Sequence, residues 1–252
     1  ETEDKVGSQL SIVKETFAST PSTSSGYSIA NEQESNVDGI PTKRFTFLKN
    51  NVVLSVSEDR VGSQLAITNE VFKPDDDAFG GQNILGVALS GYSEASREKS
   101  NFQGIPTLRY RFLKNNVVLS ESEDKVGSQL SIVKEVFNGT PSTPSGYSTA
   151  SEQESNVGGI PTKKFTFLKP NILSVRQDFN NGQKRVSVQA FNKTSAEVTS
   201  ALTEVTANHK LISEQESNFS GIKTSTFEYQ LDESFTEDRE LNGLKRISLL
   251  EL

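Results

Sequence analysis

The chain has 252 residues, 33 acidic against 26 basic side chains for a net charge of −7, and no Cys, Met or Trp. An acidic balance opposes the phosphate neutralisation that a nucleic-acid partner requires. The missing cysteines exclude disulfides, thiol nucleophiles and thiolate-held metals. No run approaches the roughly 18 apolar residues of a membrane helix and no basic-then-apolar leader opens the chain, so no membrane insertion is expected. The absence of Met predicts a processed, trimmed or partial chain.

Mean hydropathy is −0.48 with 33% hydrophobic residues, yet Phe, Val, Leu and Ile recur at regular places, which argues against general disorder. The chain opens on an acidic pair, Glu3-Asp4, followed by VGSQL from Val6. The same string returns at Val61 and Val126, behind Glu58-Asp59 and Glu123-Asp124, with a weaker copy, NNGQKRVSV, from Asn180. Next in each unit comes a segment of changeable length, then an EQES-like block at 31–36, 96–101, 151–156 and 213–218. GIPT follows from Gly39, Gly104 and Gly159, decaying to GIKT from Gly221, and an aromatic run closes the unit from Phe45, Tyr110, Phe165 and Phe227.

From the GIPT glycine to the next unit's glycine the spacing is 23, 23, 23 and 22 residues; from that glycine to GIPT it is 32, 42, 32 and 39. The constant half must hold paired backbone, because one inserted residue would ruin its register, whereas a loop absorbs ten residues at little cost in closure entropy. Phe45 and Phe47 alternate with Thr46, Asn50-Asn51 tolerates φ > 0, and Val52 begins a second apolar run, so the pattern predicts a β-hairpin there. Gln64 to Phe72 reads as a further strand. The recurring glycine of VGSQL suits a turn or bulge, and the proline of GIPT suits a strand's first residue or an edge.

The fold class predicted is all-β, as tandem repeats of small β-sandwich or barrel-like modules. About four units of roughly 55–65 residues stand near the lower limit for an independent core, so neighbouring units are expected to share theirs. Their boundaries are 1–57, 58–122 with a long loop at 73–91, 123–177, a divergent 178–236, and 237–252 as the start of a fifth unit or a terminal strand. Discrete modules are favoured over a continuous stack, because the units tolerate large loops.

The variable segments of units one and three, ASTPSTSSGYS from Ala18 and NGTPSTPSGYS from Asn138, read as exposed loops. Unit two carries KPDDDAFGGQNILGVALSGYS from Lys73 instead. Asp75, Asp76 and Asp77 lack the alternating ligands and distal glutamate of a calcium loop and read as a solvated turn. The apolar members Phe79, Ile84, Leu85, Val87 and Leu89 must cover a neighbour or meet a partner. In unit four Ala196, Val198, Ala201, Leu202 and Val205 fit a short helix capped by Ser195, or equally a strand. His209, the one histidine, lacks the partners of a metal or triad site and reads as a loop residue.

Paired carboxylates such as Glu32 and Glu34 can hydrolyse glycosides, but acidic strands in all four units read better as a solvent face or as cross-strand partners of Lys43 and Lys163. No phosphate-binding, serine-hydrolase or HExxH motif is present. No catalytic residue, cofactor or metal is therefore expected. The sequence points to a structural subunit of a large assembly, its partners being copies of itself or other structural subunits. The alternative is a cell-surface adhesin presenting its variable loops to a receptor or glycan. LNGLKRISLLEL at the end resembles another first strand, which makes Ile247 and Leu249 candidates for pairing with a neighbouring subunit.

The GIPTxxFTFL run, followed by a turn, a VLS strand and a Gly-containing strand, resembles the tandem β repeats of structural proteins of tailed bacteriophages. The resemblance covers most of the chain and fades in unit four, where Lys223 replaces the proline. It implies a virion or extracellular appendage component and brings no catalytic residues.

Overall fold

The computed structural model describes residues 1–72, 90–180, 183–232, 239–241 and 244–246. Strands dominate, and four similar four-stranded antiparallel sheets make the protein all-β with four repeated units. The first sheet contains β1 (Thr2–Val6), β2 (Gln9–Thr16), β3 (Tyr27–Val37) and β4 (Ile40–Lys49), in the order β1-β2-β4-β3. The second repeats that order with β5 (Val52–Val61), β6 (Gln64–Phe72), β7 (Tyr92–Phe102) and β8 (Ile105–Lys114). The third is built from β9 (Val117–Val126), β10 (Gln129–Phe137), β11 (Ser148–Val157) and β12 (Ile160–Leu168). The fourth has β13 (Asn171–Asn180), β14 (Gln183–Phe191), β15 (His209–Phe219) and β16 (Ile222–Leu231).

Two hairpins build each sheet, and neither is the one the sequence suggests. In the first sheet Val6 pairs with Gln9 across Gly7-Ser8, and Val37 pairs with Ile40 across Asp38-Gly39. Asp38 and Gly39 have φ of 50° and 84°, the pair of left-handed residues that a type I′ turn demands. The Asn50-Asn51 link, with Asn51 at φ 59°, joins two sheets rather than two partners. β4 already has β2 on one side and β3 on the other, so β5 has no free edge to pair with and starts a new sheet with β6. The sheets accordingly begin at Thr2, Val52, Val117 and Asn171. Residues 58 and 123, placed at unit boundaries by the acidic pairs, and 178, placed just before the weaker copy, lie inside β5, β9 and β13.

Pro41 sits inside β4 and forms a Cα pair with Asn36, next to the closing pair of a two-residue hairpin. Closing pairs exchange hydrogen bonds and the next pair does not, so the missing N–H points away from β3. On its other side β2 has already ended, since the β2–β4 pairing stops at Thr16↔Lys43. The proline therefore breaks no ladder bond.

The chain gathers into two compact units, Glu1–Ser120 with Glu135–Pro141 and Glu154–Lys163, and Glu121–Lys134 with Ser142–Gln153 and Lys164–Leu252. In the first, Val6, Ala30 and Leu48 of sheet one share a core with Leu54, Phe72 and Ile105 of sheet two. The equivalent ridge of sheet two, Val61, Ala95 and Leu113, shares a second core with Leu119, Phe137 and Ile160. In the second, Val126 and Leu168 pack with Phe191 and Ile222 of sheet four. Each repeat is thus a single sheet whose core is completed by its neighbour, as expected of units near the lower limit for an independent core.

The opposite face carries the aromatic run. Phe45, Phe47, Tyr110, Phe112, Phe165, Phe167, Phe227 and Tyr229 are all buried, as the alternation on β4, β8, β12 and β16 predicts. In sheet four this face is covered by α1 (Ser195–Ala201) and α2 (Thr203–Thr206): Val198 is fully buried against Val186, Val188, Ala190, Phe227 and Tyr229. The helix reading of that segment holds and the strand reading does not. Its cap is Thr194 rather than Ser195, in a capping box with Glu197. Finally, β17 (Arg239–Leu241) and β18 (Leu244–Arg246) form a small hairpin whose closing pair Leu241↔Leu244 matches Val6↔Gln9.

Candidate functional surface

The recurring residues fall into two groups, those that set the backbone and those that join one sheet to the next. Asn36, Asn101, Asn156 and Asn218 each accept, through Oδ1, the backbone N–H of the glycine three residues on, at 2.7, 2.8, 2.8 and 2.9 Å. This side-chain bond fixes the type I′ turn. It went unread in the sequence, although an Asn three residues before every GIPT-type glycine was the signal.

The glycine of VGSQL marks a close approach. A Cβ on Gly7 would stand 2.8 Å from the Leu54 carbonyl oxygen, and one on Gly62 would stand 2.8 Å from that of Leu119. Both have φ of 60°, so the position needs glycine twice over, for its turn and for the neighbouring backbone.

A polar network recurs on the sheet face opposite the aromatic run. In sheet two Glu70, 5% exposed, accepts from Thr107 Oγ1 at 2.6 Å and from Arg109 Nε at 3.2 Å. Equivalent bonds join Ser35 to Glu15 at 2.7 Å and Ser155 to Glu135. Gln189 takes the glutamate's place in sheet four, donating to Ser217 Oγ at 3.0 Å, and Ser217 lies 2.8 Å from Thr224 Oγ1. The serine of the EQES block therefore recurs in a cross-strand network, which the threonine of the GIPT block joins at Thr107 and Thr224. Burial pushes the Glu70 carboxyl up, but hydrogen bonds from Ser100, Thr107 and Arg109 and the charge of Arg109 outweigh it and hold the group below the ordinary 4.5. An ionised, donor-saturated carboxylate cannot serve as a general acid near neutral pH.

Glu70 lines a charged groove with Asp59, Thr68, Arg109 and Arg111, where Arg111 holds Asp59 at 2.6 Å. Glu32, a carboxylate weighed for catalysis, is exposed on β3 and paired with Lys43 at 2.7 Å; that bond and the charge of Glu32 raise the lysine pKa. In sheet four a different cross-strand pair, Glu216 and Lys223, meets at 2.7 Å. His209 begins β15, with Nδ1 2.7 Å from the Ala207 carbonyl. Among the described residues no group of three or more His, Cys, Asp or Glu is placed to hold a metal ion, and no helix is long and apolar enough to cross a membrane.

Three leucines sequence reasoning missed, Leu10, Leu65 and Leu130, stand 57%, 50% and 55% exposed at one recurring position. Phe79, Ile84, Leu85, Val87 and Leu89, together with Asp75, Asp76 and Asp77, lie outside the described residues, as do Ile247 and Leu249. Comparison with known protein families, with curated proteins and with solved structures returns no match to this chain.

Proposed function

We propose that this chain is a structural segment of a large assembly, such as a virion, tail, fibre or extracellular filament, built to carry contacts rather than to catalyse. The observation that carries this reading is the use made of the recurring residues. Asn36 sets a turn, Gly7 admits the Leu54 carbonyl, Ile105 docks on Leu48, and Thr107 binds Glu70. Repeats that complete one another's cores are stabilised largely through their mutual interfaces, a property suited to a spacer. Leu10, Leu65 and Leu130 add an exposed apolar position to each of the first three repeats for contacts with copies of itself or other structural subunits. The likeness of GIPTxxFTFL to tailed-phage repeats agrees with a virion or extracellular setting.

Immunogold labelling of native source material with antibodies against the chain tests this. Gold decorating particles or filaments is expected; label confined to the soluble fraction overturns the proposal.

A second reading, an adhesin, is favoured by one specific observation. Almost every change of repeat length falls between the second and third strands of a sheet, so variable segments leave equivalent sheets at the same place. Binding of the chain to a glycan array, lost on exchanging these segments between repeats, would support it.

A further inference from the structure

The residues that follow Phe137 and Phe191 are Asn138 and Asn192, with φ of 44° and 49°, a left-handed backbone that asparagine adopts more readily than other side chains. Both amides reach back to the preceding repeat. Asn138 Nδ2 donates to Ser93 Oγ on β7 at 2.8 Å and to Asn115 Oδ1, between β8 and β9, at 2.7 Å. Asn192 Nδ2 donates to Ser148 Oγ on β11 at 2.9 Å. Each asparagine is thus a polar staple between successive sheets.

The two differ in what comes next. Asn192 is followed by Lys193, whereas Asn138 is followed by Gly139. A Cβ on Gly139 would collide with Asn116 Oδ1, so packing at the joint favours glycine there as firmly as the staple favours asparagine. Asn138 is exposed, and among the described residues nothing accepts the Gly139 N–H. The joint between sheets two and three therefore holds an Asn-Gly pair at the surface, with an unengaged backbone nitrogen beside the side-chain amide and no Cβ to hinder it.

We propose that Asn138 is a site of spontaneous deamidation that loosens the joint between the second and third repeats. The Gly139 nitrogen, its proton taken by solvent base, attacks Asn138 Cγ and closes a succinimide ring; the Cγ–Nδ2 bond breaks and Nδ2 leaves as ammonia. Water then opens the ring at either carbonyl, giving aspartate or, with the main chain rerouted through Cγ, isoaspartate. One water is consumed, one ammonia is released and nothing is oxidised or reduced. The product's carboxylate only accepts hydrogen bonds. Ser93 can turn its hydroxyl to donate, but Asn115 Oδ1 is left facing an acceptor. The chemistry holds whether or not the chain is part of an assembly.

Ageing the full chain in mildly alkaline buffer, followed by peptide mapping in a mass spectrometer, tests the site. Progressive conversion of Asn138 to aspartate and isoaspartate is expected while Asn192 stays intact. Asn181-Gly182 and Asn242-Gly243 carry the same dipeptide outside the described residues, so the map must resolve them from Asn138. If the two hydrogen bonds hold the amide against attack, Asn138 lasts as long as Asn192 and the proposal is overturned.

Asn138→Asp, which installs the product's charge, should lower the thermal midpoint by about 2–4 °C, the shift that goes with losing one ordinary hydrogen bond in a chain of this length. Should that variant fail to fold, hydrogen exchange on fresh and aged wild type reads the same effect, as faster exchange at residues 115–117 in the aged protein. An unchanged midpoint, or equal exchange in fresh and aged protein, would overturn the loosening of the joint.

Discussion

Glu70 on β6 and Thr107 on β8 meet at 2.6 Å across adjacent strands, in a place where the carboxylate is almost wholly withdrawn from water. Removing the carboxylate strands Thr107 and leaves Arg109 to its exposed partner Glu98. Glu70→Ala is expected to cost about 1.5–3 kcal/mol in urea denaturation. Glu70→Gln should cost less, because Gln189 already holds the same position in sheet four with a serine partner.

The same pair predicts a pH dependence. The folded pKa of Glu70 lies below its ordinary value of 4.5, so its contribution to stability is fully present above that value and is lost as pH falls through the lower folded one. Urea midpoints of wild type and Glu70→Gln should converge as pH drops below 4.5. A constant gap between them would contradict the assignment.

Two glycines with similar backbones separate strain from crowding. Gly62 and Gly104 both have left-handed φ, 60° and 84°, but only Gly62 faces a carbonyl, while space around Gly104 is open. Gly104→Ala should cost about 1 kcal/mol for its conformation alone. Gly62→Ala adds a backbone clash between two sheets and should cost clearly more, read as a larger drop in the thermal midpoint.

Phe47, 1% exposed and stacked 6.3 Å from Phe45, should lose about 3–5 kcal/mol on replacement by alanine. Calorimetry showing a loss under about 1 kcal/mol would be incompatible with its burial.

In the fourth repeat the helical cover can be loosened without touching the sheet. Thr194→Ala removes the bond from the Glu197 N–H to Thr194 Oγ1 and keeps the one from the backbone N–H of residue 194 to the Glu197 carboxylate, and should cost about 1 kcal/mol. Faster hydrogen exchange in residues 195–206 would accompany it, with β14 and β16 less affected.

Burial of the aromatic run was legible because alternation along a strand is a local signal, and Phe45, Phe47 and their counterparts carry it in each of the first three repeats. Which strands pair was not legible at Asn50-Asn51. Two apolar runs joined by two turn-forming residues look alike whether the runs face each other or leave for different sheets, and only the occupancy of both edges of β4 decides. Unit boundaries suffered from a related ambiguity: a periodic sequence has no intrinsic phase, so the acidic pair inside β5 served as well as Asn51 for a starting point. The partnership of Gly7 with Leu54 spans a sheet-to-sheet distance that no window of sequence contains. The charged groove around Glu70 could not be assembled from sequence either, since Asp59, Glu70 and Arg111 come together only once the register of β5, β6 and β8 is known.

Since Val6, Ala30 and Leu48 meet sheet two much as Val61, Ala95 and Leu113 meet sheet three, a gene encoding such a chain can lengthen by duplication without inventing a new interface. Residues 3–15 and 123–135 are identical in sequence, as expected if whole repeats are copied and exchanged by recombination. The segment between second and third strands is then free to diverge, because neither the ridge nor the face that receives it passes through that stretch. Variation in repeat number among related strains would be the genomic trace of a protein whose every joint accepts the same next piece.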